Sequence, residues 1–442
     1  MLFVKKLGKF DIEIVPVFLK NKEFPFFLDS GKKFGRLGRF CFFGYNPIFL
    51  VKFKNGSEPF KILKDYFYRF KINEKIEKKF PFHGGFVGYL TYELGKFIEK
   101  LPDTRVDDYN MPEIFFGFYD VIFVFDLNSK DLFLTGYDIG NNDFGKKIES
   151  FEKDIFNINN NYGPIEIGGD FESNFEKDEY LNAIEKARTY IYKGDIYQVN
   201  LSQRFRVKFK GDAYKFYSIF RKISPAPFGA FLDFGDFQIL SNSPERYLYI
   251  SGKHIETRPI KGTRKRGKTP IEDLKLIEEL KNSEKDKAEH LMIVDLERND
   301  LGRIAEFNSV KVSEFEIIET YANVHHMVST VEAKIRDDKD CIDCIINSYP
   351  GGSITGAPKI RSMEIIDELE PTYRGVYTGS IGYIDLTGDI DFNIAIRTAI
   401  LKDGYLNLQV GGGIVYDSVP EDEYMETIVK AESFFKTVRE LI

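Results

Sequence analysis

The sequence predicts a mixed fold of strands and helices, on three observations. Residues 1 to about 165 carry short alternating apolar runs, among them Phe40-Cys41-Phe42-Phe43-Gly44-Tyr45 and Val121-Ile122-Phe123-Val124-Phe125, broken by Gly, Asn and Asp. That is the pattern of antiparallel strands joined by turns. Further along, the apolar period switches repeatedly between the helical 3.6 and the strand value of 2. No stretch reaches the roughly 18 apolar residues that a membrane helix requires.

Composition narrows the function classes. A chain of 442 residues that is 43% hydrophobic and 30% charged is long enough for two or three domains and reads as globular. Its formal charge of −7 gives no electrostatic footprint for nucleic acid. Three cysteines, an odd count, fit a reducing compartment, so the cytoplasm is expected. Cys341 and Cys344 form one C-x-x-C without a second ligand pair, and they read as helix positions. The start, Met1 to Ile14, is interrupted by Lys5, Lys6 and Lys9 before an apolar signal core could develop. A polar, Asn- and Gly-rich stretch from Asn157 to Gly169 divides a β-rich region, 1–165, from a second region, 170–442.

In chain order, Leu28-Asp29-Ser30 stands out first. The glycine-rich Gly84 to Leu90 follows; no Lys-Ser/Thr pair comes at P-loop spacing, so close backbone packing is expected there. Tyr180, Ile184, Ala187 and Ile191 predict a helix from about Glu176 to Lys193, with Gly194 as its C-terminal cap. Tyr197 to Lys208 then alternates: Tyr197, Val199, Leu201, Phe205 and Val207 on one face, Gln198, Asn200, Ser202 and Arg204 on another that could touch a polar ligand. Ser243-Pro244-Glu245 falls in a turn between the apolar runs 237–240 and 247–250.

Thr257 to Gly267 sets Lys261 among Arg258, Arg264, Lys265 and Arg266. Neighbouring cations disfavour a charged amine, and a neutral lysine is a nucleophile, so Lys261 is a candidate for covalent chemistry. Taken alone, such a run is more often a solvated surface loop. Ser283 caps a helix reaching about Glu297, with Asp286 at the capping-box position and sharing a face with Glu289. Pro350 to Lys359 leads into a helix of Ile360, Met363, Ile366 and Leu369, ended by Pro371. Residues 377–386 and 391–401 are strand-like, the second carrying Arg397. After a strand at 405–410, Gly411-Gly412-Gly413 implies a bulge or a ligand against backbone. The last helix, about 421–441, aligns Glu423, Glu426 and Lys430. Two i, i+3 carboxylate pairs in a chain with five histidines suit Mg²⁺ better than zinc.

These segments together resemble the chorismate-utilising enzymes. The matching motifs are Gly194-Asp195-Ile196-Tyr197-Gln198-Val199-Asn200-Leu201-Ser202-Gln203-Arg204, Ser243-Pro244-Glu245, Pro259-Ile260-Lys261-Gly262-Thr263, Asp295 to Gly302, Gly356-Ala357-Pro358-Lys359 and Gly411-Gly412-Gly413-Ile414. The likeness covers nearly everything from about 170 onwards. It implies an α+β fold of two large, mainly antiparallel sheets packed face to face with helices outside, the active site lying between them.

The resemblance also implies roles. Lysine at 261 is similar to the members that aminate chorismate at C4, whereas anthranilate-forming members carry alanine there. Water-adding members use a lysine where this chain has Gln198. Glu245 would be the general acid that helps the C4 hydroxyl leave, and Lys261 would add at C2 until ammonia displaces it. Gln198, Thr263, His326, Ser353, Tyr377, Arg397, Gly411, Gly412, Gly413 and Lys430 would surround the substrate. Asp286, Glu289, Glu423 and Glu426 would hold Mg²⁺; the family usually has Glu where Asp286 stands. None of the three cysteines sits in a glutaminase elbow, so ammonia is expected from a separate glutamine amidotransferase subunit. Ser30 falls where relatives bind tryptophan. The rival expectations are amination at C2 and a silent regulatory subunit that binds chorismate or tryptophan.

Overall fold

The computed structural model describes residues 1–442 except 32–36, 141–142, 159–160 and 322–323. Among the described residues two large sheets dominate, of 12 and 10 strands. The first runs in the order Leu2–Lys9, Asp131–Tyr137, Val121–Asp126, Phe40–Gly44, Phe26–Asp29, Phe228–Asp233, Phe237–Ser243, Thr398–Lys402, Tyr405–Ile414, Gln198–Gly211 and Gly356–Ala357; Ile165–Ser173 also pairs with Gln198–Gly211. The second runs Ile260–Lys265, Val324–Lys334, His254–Arg258, Arg246–Ser251, Ile390–Asn393, Ser380–Asp385, Gly85–Leu90, Ile114–Tyr119 and Phe49–Phe53, with Lys311–Thr320 on Val324–Lys334. Each sheet therefore draws strands from both the 1–165 and the 170–442 regions. The expected linker contributes the start of the strand at Ile165, while its residues 159–160 lie outside the described ones.

Strand alternation sorts the side chains into layers. Phe26, Phe42, Ile122 and Val124 of the first sheet pack between the sheets against Val87, Tyr89, Phe115 and Tyr383 of the second. Their neighbours Phe27, Cys41, Phe43 and Phe123 face the other way, against Phe18, Phe216, Phe220 and Phe434 on helices. The outer face of the second sheet is covered by helices carrying Leu63, Phe67, Ile342, Ile345 and Ile366. The glycines at 84–88 allow close backbone approach, as expected: a Cβ on Gly88 would fall 1.9 Å from the Phe115 carbonyl. Cys341 and Cys344 are buried on helix Cys341–Ser348. No helix among the described residues is long and apolar enough to cross a membrane.

Local expectations hold for most elements and fail at several informative ones. Helix Lys177–Tyr192 ends before Gly194, whose φ of +81° is the left-handed cap conformation. In strand Gln198–Gly211 both faces are buried: Gln198, Ser202 and Arg204 lie inside, whereas Tyr197, expected to pack, is 72% exposed just before the strand begins. Gly411–Gly413 lie inside strand Tyr405–Ile414, not beyond it. Asp286 does not close a capping box; Ser283 caps alone, and the Asp286 carboxylate turns to Arg264.

Two connections step between the sheets. Pro244-Glu245 carries the chain from Phe237–Ser243 in the first sheet to Arg246–Ser251 in the second. The strand expected at 391–401 is broken, running as Ile390–Asn393 in the second sheet and Thr398–Lys402 in the first, with Arg397 at φ +50° in the step. The two steps are tied together: Ile394 N donates to the Glu245 carbonyl at 3.0 Å, and Ser243 Oγ donates to the Ile394 carbonyl at 2.5 Å.

Candidate active site

Lys261 lies on the edge strand Ile260–Lys265 of the second sheet. Its Nζ reaches across to the first sheet, 3.2 Å from where a Cβ on Gly413 would stand. The amine is held below its ordinary pKa, with burial the leading cause and Lys430 adding to it; Glu289, Glu245 and Glu426 oppose the shift. The neighbouring cations are not the reason. Arg258 donates to Glu319 at 2.8 Å, Arg264 to Glu279 at 2.7 Å, and Arg266 to Asp273 at 2.7 Å, while Lys265 is exposed. Strand alternation and local pairing remove them, and desolvation does the work assigned to charge.

Glu245, on the step between the sheets, is 5% exposed. Burial pushes its carboxyl up to about 7, against the pull of the Ser353 hydroxyl, the Lys261 amine and the Ile260 N–H, which lies 3.4 Å from Oε1. A carboxyl pushed up to about 7 beside an amine held below its ordinary range can serve as general acid and nucleophile.

Around this pair the candidates converge in part. Gln198 is fully buried with neither its Nε2 nor its Oε1 hydrogen-bonded, and a Cβ on Gly413 would meet that Nε2 at 2.4 Å. Glycine at 413 is therefore what lets the lysine and the amide face open space together. Thr263 Oγ1 lies 2.8 Å from His326 Nδ1, opposite it in register, and burial pushes this imidazole down to about 3, leaving it neutral with Nε2 unpartnered. His325 faces the other way, bonded to Asp273 and Thr320. The Arg397 guanidinium makes no hydrogen bond or ion pair among the described residues, and burial lowers its pKa. Such a cation, half-buried and without an ion-pair partner among the described residues, can receive an anion. Tyr377 is buried next to the second sheet, its hydroxyl held protonated by burial. Lys430 binds Glu426 at 2.6 Å and the Gly411 carbonyl at 2.9 Å.

The four acids approach from two helices. Glu423 Oε2 and Glu426 Oε1 each lie 3.4 Å from the Cβ position of Gly412, and Glu289 senses both Asp286 and Glu426 as like charges. Glu289 and Glu423 are pushed up, chiefly by burial, whereas Lys430 draws Glu426 down. No three of them bring ligand atoms within 4.8 Å of one another; among the described residues only His254, Glu256 and Glu332 do so. The carboxylates of that other trio are already matched, Glu256 by Arg246 at 2.7 Å and Glu332 by Lys311 at 2.9 Å. The acids on helices Glu284–Gly302 and Pro420–Arg439, ranging from buried Glu423 to exposed Glu426 and oxygen-only, fit a hydrated divalent cation better.

Ser30 stands apart. It lines a cavity of about 370 Å³ with Asp29, Phe228, Arg246, Tyr249 and Asn393, and none of the catalytic candidates lines it. Sequence reasoning gave no role to Glu297, buried and within the matching motif Asp295 to Gly302, or to Arg374, fully buried and donating to the carbonyls of Ile354 and Asn200 beside the site. An acid repeated at Asp295, Glu297 and Asp300 along one helix was the available signal for the first.

A family model described as chorismate binding enzyme matches residues 23–436. The aminodeoxychorismate synthase component 1 of Bacillus subtilis is 40% identical over 417 residues, covering 90% of this chain and 88% of that protein. The anthranilate synthase component 1 of Aquifex aeolicus is 38% identical over 458 residues, covering 96% and 91%. Among solved structures, anthranilate synthase component I from Streptococcus pneumoniae superposes with a TM-score of 0.81 at 34% identity, over 89% of this chain and 92% of that one. A menaquinone-specific isochorismate synthase from Escherichia coli superposes with a TM-score of 0.77 at 16% identity, over 99% and 94%, a likeness of fold alone.

Proposed function

The chain belongs to the chorismate binding enzyme family, and on that premise we propose that it aminates chorismate at C4, acting as an aminodeoxychorismate synthase component 1. The observation that carries this reading is Lys261, its lowered-pKa amine lying 3.2 Å from the Gly413 Cβ position and near Glu245, whose carboxyl burial pushes up to about 7. In the first step the Lys261 amine adds at C2, the ring double bonds shift, and the C4 hydroxyl leaves as water with the proton of Glu245. Ammonia then adds at C4, the double bonds shift back, and the amine at C2 departs. The surplus ammonium proton returns to the Glu245 carboxylate, restoring the acid. Arg397, Tyr377 and the glycines at 411–413 receive the enolpyruvyl carboxylate, while Thr263, His326 and Ser353 border the ring, and Gln198 faces the ring space between them and the lysine.

Asp286, Glu289, Glu423 and Glu426 would hold Mg²⁺, which supplies charge neutralisation for the ring carboxylate. Ammonia would come from a glutamine amidotransferase subunit, consistent with the component 1 in the relatives' names. The cavity at Ser30 is the proposed tryptophan site. Three buried free cysteines suit the cytoplasm. A second reading, amination at C2, is favoured by the near-equal identity of the Aquifex relative and opposed by Lys261.

The test is incubation with chorismate, Mg²⁺ and ammonium, with products followed by mass and by anthranilate fluorescence. A non-fluorescent product with amino in place of hydroxyl and the enolpyruvyl group retained, absent with Lys261→Ala, is expected. Fluorescent anthranilate from the unaltered chain would install the second reading.

A further inference from the structure

We propose that Glu297 is a positioning residue for Glu245, the general acid of the proposed reaction, tying together the two segments that flank the Glu245 carboxyl. This rests on the function proposed above. Glu297 is 4% exposed on helix Glu284–Gly302, two turns beyond Glu289 and outside the set of acids that face Lys261. Its Oε1 accepts from Gly352 N at 3.0 Å, and its Oε2 lies 3.3 Å from Thr257 Oγ1. Gly352 directly precedes Ser353, whose hydroxyl pulls the Glu245 carboxyl toward ionisation; Thr257 stands three residues before Ile260, whose N–H lies 3.4 Å from Glu245 Oε1. Each oxygen of Glu297 therefore anchors one arm of the Glu245 cradle.

The fit is close. A Cβ on Gly352 would fall 2.7 Å from Leu296 Cδ2 and 3.0 Å from Glu297 Oε1, so only glycine lets the helix press against this loop. The groups facing Glu297 are Asp300 on its own helix, Lys359 at the start of helix Lys359–Leu369, and Glu245. Lys359 is committed to Asp300 at 2.5 Å. Burial and the Asp300 carboxylate push the Glu297 carboxyl well above the usual range. Oε1 accepts from the Gly352 N–H and Oε2 from the Thr257 hydroxyl, so one side chain meets both arms.

The experiment uses the full chain and follows chorismate disappearance at saturating ammonium and Mg²⁺, whichever amine isomer forms. An unaltered protein that consumes no chorismate would therefore defeat the functional reading and not this one. Glu297→Gln keeps an acceptor and an N–H donor and should turn over within about threefold of the unaltered chain, whereas Glu297→Ala should lose about 30- to 100-fold in kcat with KM held within about threefold. Thr257→Val, which cuts one arm, should lose about 3- to 10-fold in kcat. The proposal is overturned if Glu297→Ala keeps its kcat, if Glu297→Gln falls as far as Glu297→Ala, or if the loss appears in KM alone. Should Glu297→Ala fail to fold, the other two variants decide: unchanged turnover in Thr257→Val, or a collapse in Glu297→Gln, overturns it.

Discussion

Replacing Glu245 should make this protein more stable, and increasingly so as the pH rises. Glu245 ionises near 4.5 when exposed to water and near 7 in the fold, a gap of 7 − 4.5 = 2.5. At about 1.36 kcal/mol per unit, that gap is worth about 3 kcal/mol. Its sign follows from which state holds the proton. Below about pH 4.5 both states are protonated and the contribution is fully present. As pH climbs, the unfolded chain ionises first and is favoured; once the folded carboxyl has ionised, above about pH 7, the loss is complete. Glu245→Gln has no proton to lose, so its advantage should open from about 0.7 kcal/mol at pH 5 to about 3 kcal/mol at pH 8. Urea unfolding of both proteins at pH 5, 6, 7 and 8, at fixed ionic strength, reads this as a widening gap in midpoints. Turnover should fall by about 10²- to 10⁴-fold, since an amide cannot protonate the leaving hydroxyl. A stability gap that stays flat with pH, or an unaltered protein that is the more stable at pH 8, would refute the assignment of a buried, proton-holding Glu245.

Arg397→Ala should raise the KM for chorismate by about 10- to 100-fold, because a half-buried guanidinium without an ion-pair partner among the described residues is spent on an anionic substrate; steady-state kinetics with kcat near its original value is the check. Gly413→Ala should cost about 100-fold or more in turnover with a much smaller loss of thermal midpoint, since the three atoms nearest the new methyl are side-chain ends of Gln198 and Lys261. Dialysis against a chelator should abolish turnover and Mg²⁺ should restore it. Glu289→Gln should raise the Mg²⁺ needed for half-maximal turnover by more than Asp286→Asn does, because Arg264 already partners Asp286 at 2.9 Å whereas Glu289 has no ion-pair partner among the described residues.

The periodic segments were legible in the sequence because their signal is local. Helix Lys177–Tyr192 with its Gly194 cap, the Ser283 cap and the terminal helix carrying Glu423, Glu426 and Lys430 each follow from residues within a few turns. Motif wording singled out Lys261 and Glu245, but the cause of the lysine's lowered pKa, burial, was not legible. Charge along the chain is visible in a sequence, whereas the partners that cancel it, Glu319, Glu279 and Asp273, are set by sheet pairing and helix placement. Tyr197 was misplaced for the same reason: alternation marks two faces, and only the tertiary neighbours decide that both faces of this strand are covered and that its first tyrosine lies outside.

What no local pattern could supply is the step between sheets. Residues 237–250 look like two adjacent strands and 390–402 like one, yet each segment is divided between different sheets by pairings with strands far away in sequence. Glu245 and Arg397 sit in those divisions, where the backbone has left one ladder and not entered the next. There the side chains can turn into the gap between sheets without competing for a packed position in either core. The cross-bonds from Ile394 N to Glu245 O and from Ser243 Oγ to Ile394 O fix the two steps against each other. A proton donor and an anion receptor are thereby held at one spacing by backbone, not by the flexible parts of their side chains. Rigidity of that kind is what reaction geometry demands, and it explains why the acid and the arginine lie outside the regular elements that the sequence announces most clearly.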